Sequence, residues 1–251
     1  MKALRVDKLC KNFGGLQALN RVSVDAEVGE RLVIIGPNGA GKSTLFHIIS
    51  GILSPTSGDV YLFGKNITRL PIHIRANLQL SQTFQLTNLF KGLTVLENII
   101  LALQSFKQTK FTLHRRLSSF EHVLGQAEEF LREWGFWDKR KVYVSKLSYG
   151  DQRLLDIVLA LVNQPRLLLL DEPTGGLAAA EVQAIVSRIK SLSREITVLF
   201  IEHNMDVAFD LADRITVLHM GEVVKGGTPE EIRRDPLVTE IYLGSKKRFR
   251  R

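Results

Sequence analysis

Eight consecutive residues fit the pattern G-x-x-x-x-G-K-[ST] without a mismatch, and no other feature constrains the fold of this chain as strongly. They are Gly36, Pro37, Asn38, Gly39, Ala40, Gly41, Lys42 and Ser43. An apolar run at residues 32–35 precedes them and a helical pattern follows at Lys42–Ser50, so the segment is predicted to be a strand, a loop and a helix. Glycines let backbone N–H groups close around phosphate oxygens, and a helix N-terminus adds partial positive charge. The motif therefore predicts a site for nucleotide phosphates.

Three side chains of this segment are expected to contact the ligand. Lys42 can reach the β- and γ-phosphates, and the Ser43 hydroxyl can ligate Mg²⁺. Thr44 can add a hydrogen bond to a phosphate oxygen. The alternative, a glycine-rich turn that binds nothing, does not account for the agreement between the motif and its flanking elements.

Two acidic residues follow a second apolar run, four consecutive leucines at residues 167–170. Ligands of an α/β sheet collect at the carboxyl ends of its strands, so Asp171 and Glu172 are expected to face the phosphate loop. Asp171 would hold the Mg²⁺ shell, and Glu172 would polarise the water that attacks the γ-phosphate. The alternative is that one of these acids, followed by Pro173, caps a helix.

The distribution of apolar residues predicts a mainly parallel α/β sheet. Short apolar runs alternate with helical patterns at Lys42–Ser50, 150–162 and 181–192. The runs lie at Arg31–Ile35, 60–63, 167–170, 196–201 and 215–219. Residues 4–7 and 22–26 instead alternate and predict antiparallel strands. The stretch from residue 89 to 161 lacks strand patterns but is helix-like at 93–103 and 122–134, and is interpreted as a helical insertion.

Composition excludes several classes of protein. The chain has 251 residues, of which 45% are hydrophobic and 24% charged, as in ordinary globular proteins. One cysteine, Cys10, cannot form an internal disulfide or a multi-cysteine zinc site. No run of 18 apolar residues predicts a membrane-spanning helix, and the charged first ten residues do not suggest a secretory signal. Of the net charge of +8, five positive charges lie in the last six residues, within a predicted basic tail at residues 245–251.

Further segments complete a series of motifs in a fixed order. They are Phe13, Gln85 within Gln82-Thr83-Phe84-Gln85, the segment Leu147-Ser148-Tyr149-Gly150-Asp151, and His203 within Ile201-Glu202-His203-Asn204. With the phosphate loop and the acid pair, they make nearly the whole chain resemble an ATP-binding cassette (ABC) ATPase, the motor subunit of ABC transporters. The resemblance implies one P-loop NTPase domain with a mainly parallel core sheet, an antiparallel β subdomain and an inserted helical subdomain. The expected core is residues 1–88 and 162–244, and the expected helical subdomain is residues 89–161.

The same resemblance implies ATP and Mg²⁺ as ligands and gives roles to individual residues. Phe13 would stack on adenine, although a phenylalanine of the core is an alternative. Gln85 would contact Mg²⁺ or the attacking water, with Gln82 as the alternative glutamine. His203 would contact the γ-phosphate, unless it only caps the helix that follows its strand.

The segment around Ser148 has a physical reading of its own. Ser148 and Asp151 have the spacing of a capping box ahead of an apolar helix, and the capped end of that helix can bind an anion. The resemblance implies that Ser148 and Gly150 bind the γ-phosphate held by a second cassette. Tyr149 and Asp151 depart from the usual L-S-G-G-Q signature. Ala178 stands where the family usually has an aspartate that contacts the other subunit.

The signature L-S-Y-G-D-Q-R, the stretch at residues 83–98 and the segment at 235–244 resemble the importers of branched-chain or hydrophobic amino acids. Urea-type importers share much of this pattern, and exporters such as those of lipopolysaccharide share the fold and the chemistry. The expected partners are a second cassette, identical or different, transmembrane permease subunits and, indirectly, a solute-binding protein. No specific nucleic acid is expected, and the expected location is peripheral, at the cytoplasmic face of the cell (inner) membrane. A nucleic-acid ATPase and a non-hydrolytic regulatory module are the rival classes.

Overall fold

The structure is a computed structural model that describes residues 1–83, 89–105 and 121–247. In chain order its strands are β1 (Lys2–Phe13), β2 (Leu16–Glu27), β3 (Arg31–Ile35), β4 (Ser57–Leu62), β5 (Lys65–Asn66), β6 (Leu80–Gln82), β7 (Leu167–Asp171), β8 (Thr197–Ile201), β9 (Arg214–His219) and β10 (Glu222–Gly227). Its helices are α1 (Lys42–Ser50), α2 (Ile72–Asn77), α3 (Val95–Ser105), α4 (Glu121–Glu133), α5 (Tyr149–Leu161), α6 (Ala179–Lys190), α7 (Met205–Leu211), α8 (Pro229–Arg234) and α9 (Pro236–Lys247). Short 3₁₀ turns lie at Trp137–Lys139 and Val144–Lys146.

The chain divides into two compact units. One comprises Met1–Gln82 with Arg166–Arg251 and contains both β-sheets. The other is Thr83–Pro165 and contains α3, α4 and α5. The α/β P-loop fold with an inserted helical region is thereby confirmed. The finer subdomain boundaries stay a prediction.

The larger sheet of the first unit has the strand order β10-β9-β3-β8-β7-β6. All its pairs are parallel except β10 with β9, which are antiparallel. Every residue of β3, β7 and β8 is buried, as their continuous apolar runs predict for strands covered on both faces. The carboxyl ends of β3 and β7 carry the phosphate loop and the acid pair, so the sheet places both at one edge.

The smaller sheet is antiparallel and has the order β2-β1-β4-β5. It shares one hydrophobic core with α1 and the larger sheet. Leu4 and Val60 come from the smaller sheet, Phe46 from α1, and Leu32 and Leu199 from the larger one. The run at residues 60–63, grouped with the buried strands on its sequence, belongs to β4 of this antiparallel sheet, and Phe63 lies beyond the strand.

The sequence predicts that residues 89–161 lack strands, and the structure supports this. Among the described residues of this stretch, the only β pairing is an isolated bridge between Thr94 and Tyr143. The start of the helical unit is fixed by Asn98, whose amide bonds the backbone N–H and C=O of Phe90 at 3.0 and 3.1 Å. Glu97 bonds the backbone and hydroxyl of Thr94 at 2.7 and 2.8 Å, which caps α3. None of the described helices is both long enough and apolar enough to cross a membrane.

Candidate active site

The phosphate loop connects β3 to α1, as the motif predicts. Lys42 is the first residue of α1, and its side chain is buried at 5% exposure. Its ammonium donates to the carbonyls of Gly36 and Pro37 at 2.8 and 3.0 Å, and so lies across the loop that it belongs to. Burial lowers the pKa of Lys42, while the charges of Glu172 and Asp171 partly restore it. The lysine and the two acids therefore share one electrostatic environment.

Two glycines of the loop are required by close backbone approaches. A Cβ on Gly36 would lie 2.2 Å from the carbonyl oxygen of Leu218. Gly41 has φ +100°, and a Cβ there would lie 2.7 Å from the carbonyl oxygen of Ala18. The loop is thus pressed against β2 and β9, and its shape depends on residues without side chains.

The acid pair lies at the end of β7. Asp171 is buried at 5% exposure, and Glu172 has φ +47°, a left-handed conformation that is costly for a residue with a side chain. The Nε2 atom of His203 lies 2.7 Å from Oε1 of Glu172. Other residues occupy the N-cap positions of the helices that follow: Ala178 for α6 and Asn204 for α7. The capping alternatives for the acids and for His203 are therefore wrong.

A third carboxylate at this edge, Glu202, was not identified from the sequence. It is 2% exposed, and its Oε1 accepts from the hydroxyl of Thr174 at 2.9 Å and, at 3.4 Å, from that residue's N–H. Its Oε2 accepts from the backbone N–H of His203 at 3.2 Å. Burial raises the pKa of Glu202, and the donors from Thr174, Asn204 and His203 oppose that shift. An acid directly after an apolar strand was the available signal, the same signal that identified Asp171.

The donors expected for Mg²⁺ are Ser43 in the first turn of α1 and Asp171 at the end of β7. Mg²⁺ in nucleotide sites takes one or two protein oxygens together with phosphates and waters, so a hydroxyl and a carboxylate fit that ion. Across the described parts of the chain, no group of three or more His, Cys, Asp or Glu residues forms a metal site on its own. Gln85, the third expected ligand, lies outside the described residues. Gln82 ends β6 and pairs in register with Leu169, so it is on the same sheet face as Asp171.

Phe13 is the last residue of β1 and is 45% exposed, which contradicts the alternative of a core phenylalanine. The ammonium of Lys11 lies 5.0 Å from the centroid of its ring and donates to the carbonyl of Ser54 at 2.8 Å. Phe13 pairs with Leu16 at the tip of the β1–β2 hairpin, and further along β2 Ala18 meets the phosphate loop at Gly41. An exposed ring therefore belongs to the same hairpin that supports the loop.

The signature segment lies in the helical unit. Ser148 is the N-cap of α5, and its Oγ accepts from the N–H of Asp151 at 3.1 Å, which confirms the predicted cap. The carboxylate of Asp151 does not complete a capping box but pairs with the ammonium of Lys139 at 2.7 Å. The charge that departs from the family signature is thus balanced within the same unit. Gly150 is buried in the first turn of α5.

The second departure, Ala178, is the N-cap residue of α6 and has no side-chain oxygen. Glu181 reaches back and accepts from the backbone N–H of Ala178 at 3.0 Å. The helix start is therefore satisfied without the aspartate that the family usually has.

A strand–loop–helix phosphate site, an acid pair at the end of a parallel strand two positions away in the sheet and a histidine against the acid define the class of an ATP-hydrolysing cassette. The family of ABC transporters matches residues 19–175, and the chain belongs to this family and is an ATPase. A second family match, to the branched-chain amino acid ATP-binding cassette transporter, covers residues 227–247.

The comparisons with individual proteins agree with this class. The high-affinity branched-chain amino acid transport ATP-binding protein LivG of Escherichia coli is 37% identical over 248 residues, which cover 96% of this chain and 97% of LivG. A nucleotide-free ATP-binding cassette of an ABC transporter superposes with a TM-score of 0.86 at 31% identity, covering 96% of this chain and 99% of its own. A dimeric cassette, MJ0796, in a post-hydrolysis state with ADP and Pi, has a TM-score of 0.77 at 29% identity, covering 90% and 98%.

Proposed function

We propose that this chain is the ATP-hydrolysing subunit of an importer for branched-chain or other hydrophobic amino acids. The observation that carries the proposal is the match of residues 227–247 to the branched-chain amino acid cassette family. That segment follows the part of the chain that matches the general ABC family, so it adds information on the branch. The name and the nearly full-length coverage of LivG support the same substrate class.

The first step is binding of ATP at the edge of the larger sheet. The backbone N–H groups of the phosphate loop and the N-terminus of α1 attract the phosphates. Two carbonyls occupy two of the three N–H donors of Lys42, and a β- or γ-phosphate oxygen would take the third. Thr44 would donate to a phosphate, and Phe13 would stack on adenine.

Ser43 and Asp171, with Gln85, would hold Mg²⁺ beside the phosphates. When bound, the ion neutralises phosphate charge and orients the β- and γ-phosphates. The chain contributes the oxygen ligands. Because Asp171 is buried, water screens its charge less, and its attraction for the ion is stronger.

Hydrolysis requires a positioned water rather than a strong base. Glu172 would accept a hydrogen bond from this water and hold it in line with the γ-phosphate. His203 lies within 2.7 Å of Glu172 and would orient that carboxylate or contact the γ-phosphate as it leaves. Gln85 would contact the same water or the ion.

Coupling to transport would occur between two cassettes. Ser148 and Gly150 of one subunit would bind the γ-phosphate held by the other, so that ATP favours the closed dimer. The dimeric MJ0796 structure with ADP and Pi supports such an assembly. Closure would move docked permease subunits, which would hold this chain at the cytoplasmic face of the membrane, and a solute-binding protein would deliver the substrate.

The test is isolation of the full chain from native membranes in mild detergent, followed by mass spectrometry of its partners. We expect permease subunits, a second cassette and a solute-binding protein. We further expect the ATPase rate of the isolated complex to rise with that binding protein when it carries leucine, isoleucine or valine, but not urea. Stimulation by urea would indicate that the chain belongs to a urea-type importer instead. A complex with permease but without a binding protein would favour an exporter, and ribosomes or nucleic-acid proteins alone would overturn the transport proposal.

A further inference from the structure

Glu202 is a buried carboxylate whose hydrogen bonds reach the two loops that carry Glu172 and His203. It follows β8 at 2% exposure, directly before His203. The hydrogen-bond donors to its carboxylate are neutral: the hydroxyl and N–H of Thr174 and the backbone N–H of His203. Burying an acid among neutral donors costs free energy, so a buried carboxylate at this position calls for a physical reason.

The first of the two loops is the turn that follows β7. Thr174 lies two residues after Glu172, and the same turn is closed by the N–H of Gly175, which donates to the carbonyl of Glu172 at 3.0 Å. The N–H of Glu172 donates to the carbonyl of Ile201 at 3.0 Å. Glu172 keeps a left-handed backbone, which persists only where the surroundings hold it in place.

The second loop is the start of α7. His203 presents its ring to Glu172, while its backbone N–H is held from behind by Glu202. One carboxylate thus bonds the backbone of His203 and, on the other side, the backbone and hydroxyl of Thr174, two residues after Glu172.

We infer that Glu202 is a positioning residue, which sets the distance between Glu172 and His203 by fastening the turn after β7 to the start of α7. The inference rests on the proposed roles of Glu172 and His203 in hydrolysis. A carboxylate suits this task because it only accepts hydrogen bonds and can accept from all of these donors at once. A glutamine of the same shape replaces one carboxylate oxygen by an NH₂ group. Its two N–H donors would then face the N–H and O–H donors of the loops, and the two loops would separate.

The experiment compares Glu202→Gln with the wild-type full chain in steady-state ATPase and equilibrium ATP binding. Because small displacements of reacting groups are expensive, we expect kcat to fall about tenfold to a hundredfold. We expect ATP affinity to stay within about twofold, since the hydrogen-bond partners of the Glu202 carboxylate are Thr174 and His203 rather than Lys42 or the phosphate loop. Glu195→Gln, the same change at an exposed site of the same unit, is the control and should match the wild type.

A second pair of variants keeps the inference testable if Glu202→Gln folds poorly. Thr174→Val removes the hydroxyl donor and should lower kcat in the same direction, whereas Thr174→Ser keeps the hydroxyl and should restore it. The double variant Glu202→Gln/Thr174→Val should be no slower than Glu202→Gln alone, because both changes break one link.

A normal kcat in Glu202→Gln, or additive losses in the double variant, would overturn the inference. Equal losses of kcat and ATP affinity in both Thr174→Val and Glu202→Gln would also overturn it, since they indicate general damage to the fold. Failure of the proposed function would be distinguishable from failure of this inference. The proposed function requires Glu172→Gln to lose turnover, whatever the result for Glu202→Gln.

Discussion

At the scale of single residues, Lys42 carries the clearest prediction about binding. Its ammonium is buried and already directed across the phosphate loop by two carbonyls. Charge-assisted hydrogen bonds are worth about 1.5–3 kcal/mol, so Lys42→Ala should weaken ATP binding by about tenfold or more. Calorimetric titration with ATP measures this, and Lys65→Ala, at an exposed residue of β5, is the matched control. An unchanged affinity in Lys42→Ala would count against the phosphate-loop assignment.

Asp213 provides a prediction about pH. Burial acts to raise its pKa, but the Arg194 guanidinium and the N–H of Arg31 outweigh burial and hold the pKa below the ordinary 3.8. Because the folded value is the lower one, this carboxylate stabilises the fold above pH 3.8, and that contribution is lost as the pH falls through the folded value.

The difference in unfolding free energy between the wild type and Asp213→Asn should therefore be constant above about pH 5 and shrink on further acidification. Urea denaturation at a series of pH values measures this difference. A gap that widens in acid would mean that the sign of the pKa shift is wrong.

The residues that sequence alone could identify share one property: their signal is local. Lys42 lies in a contiguous motif, and Glu172 and His203 lie within two residues of the ends of apolar strands. The partners that shape the site are distant in sequence. Thr174 and Glu202 are 28 residues apart, and Lys139 is 12 residues from Asp151, so only the fold could reveal either contact.

At the scale of elements, Arg75 joins α2 to the far end of the helix that begins at the phosphate loop. It is 1% exposed, and its guanidinium donates to the carbonyls of Ile48 and Ile49 at 2.6 and 2.7 Å. It also donates to Leu70 and Thr68 at 2.8 and 3.0 Å. Burial lowers the pKa of Arg75 to about 10, because the charged form is taken out of water.

Arg75→Lys should destabilise the fold by about 2–3 kcal/mol, because a lysine cannot reach four carbonyls and leaves buried acceptors without donors. The free energy of unfolding in urea measures this, with Arg69→Lys, at an exposed residue nearby, as the control. Equal stability of the two variants would show that the carbonyls find other donors.

The elements that the sequence predicted well are those whose hydrophobic pattern fits one type of secondary structure. β3, β7 and β8 are continuous apolar runs, and they are buried on both faces. β6 was missed because it has three residues, two of them polar, and β10 because exposed positions and two glycines hide its alternation. β4 was grouped with the wrong sheet, because an apolar run does not indicate its pairing partner. In the structure β4 pairs with β1.

At the scale of the whole molecule, the residues proposed to bind ATP belong to two units of the chain. The phosphate loop, Glu172 and His203 lie in one unit, and Ser148 and Gly150 lie in the other. Under the proposed function, a second cassette supplies a signature segment to each bound ATP. The dimer should therefore form with ATP and dissociate after hydrolysis.

The most direct test of this account is to measure the ATPase rate and the ATP-dependent mass of Glu172→Gln, with Glu195→Gln as the control. Positioning by a carboxylate contributes about a hundredfold or more to rate, so turnover should fall by at least that factor while ATP binding persists. In MgATP the 28.3 kDa chain should then accumulate as a dimer of twice that mass, which the wild type forms only transiently. Normal turnover, or a variant that binds ATP and stays monomeric, would contradict the account.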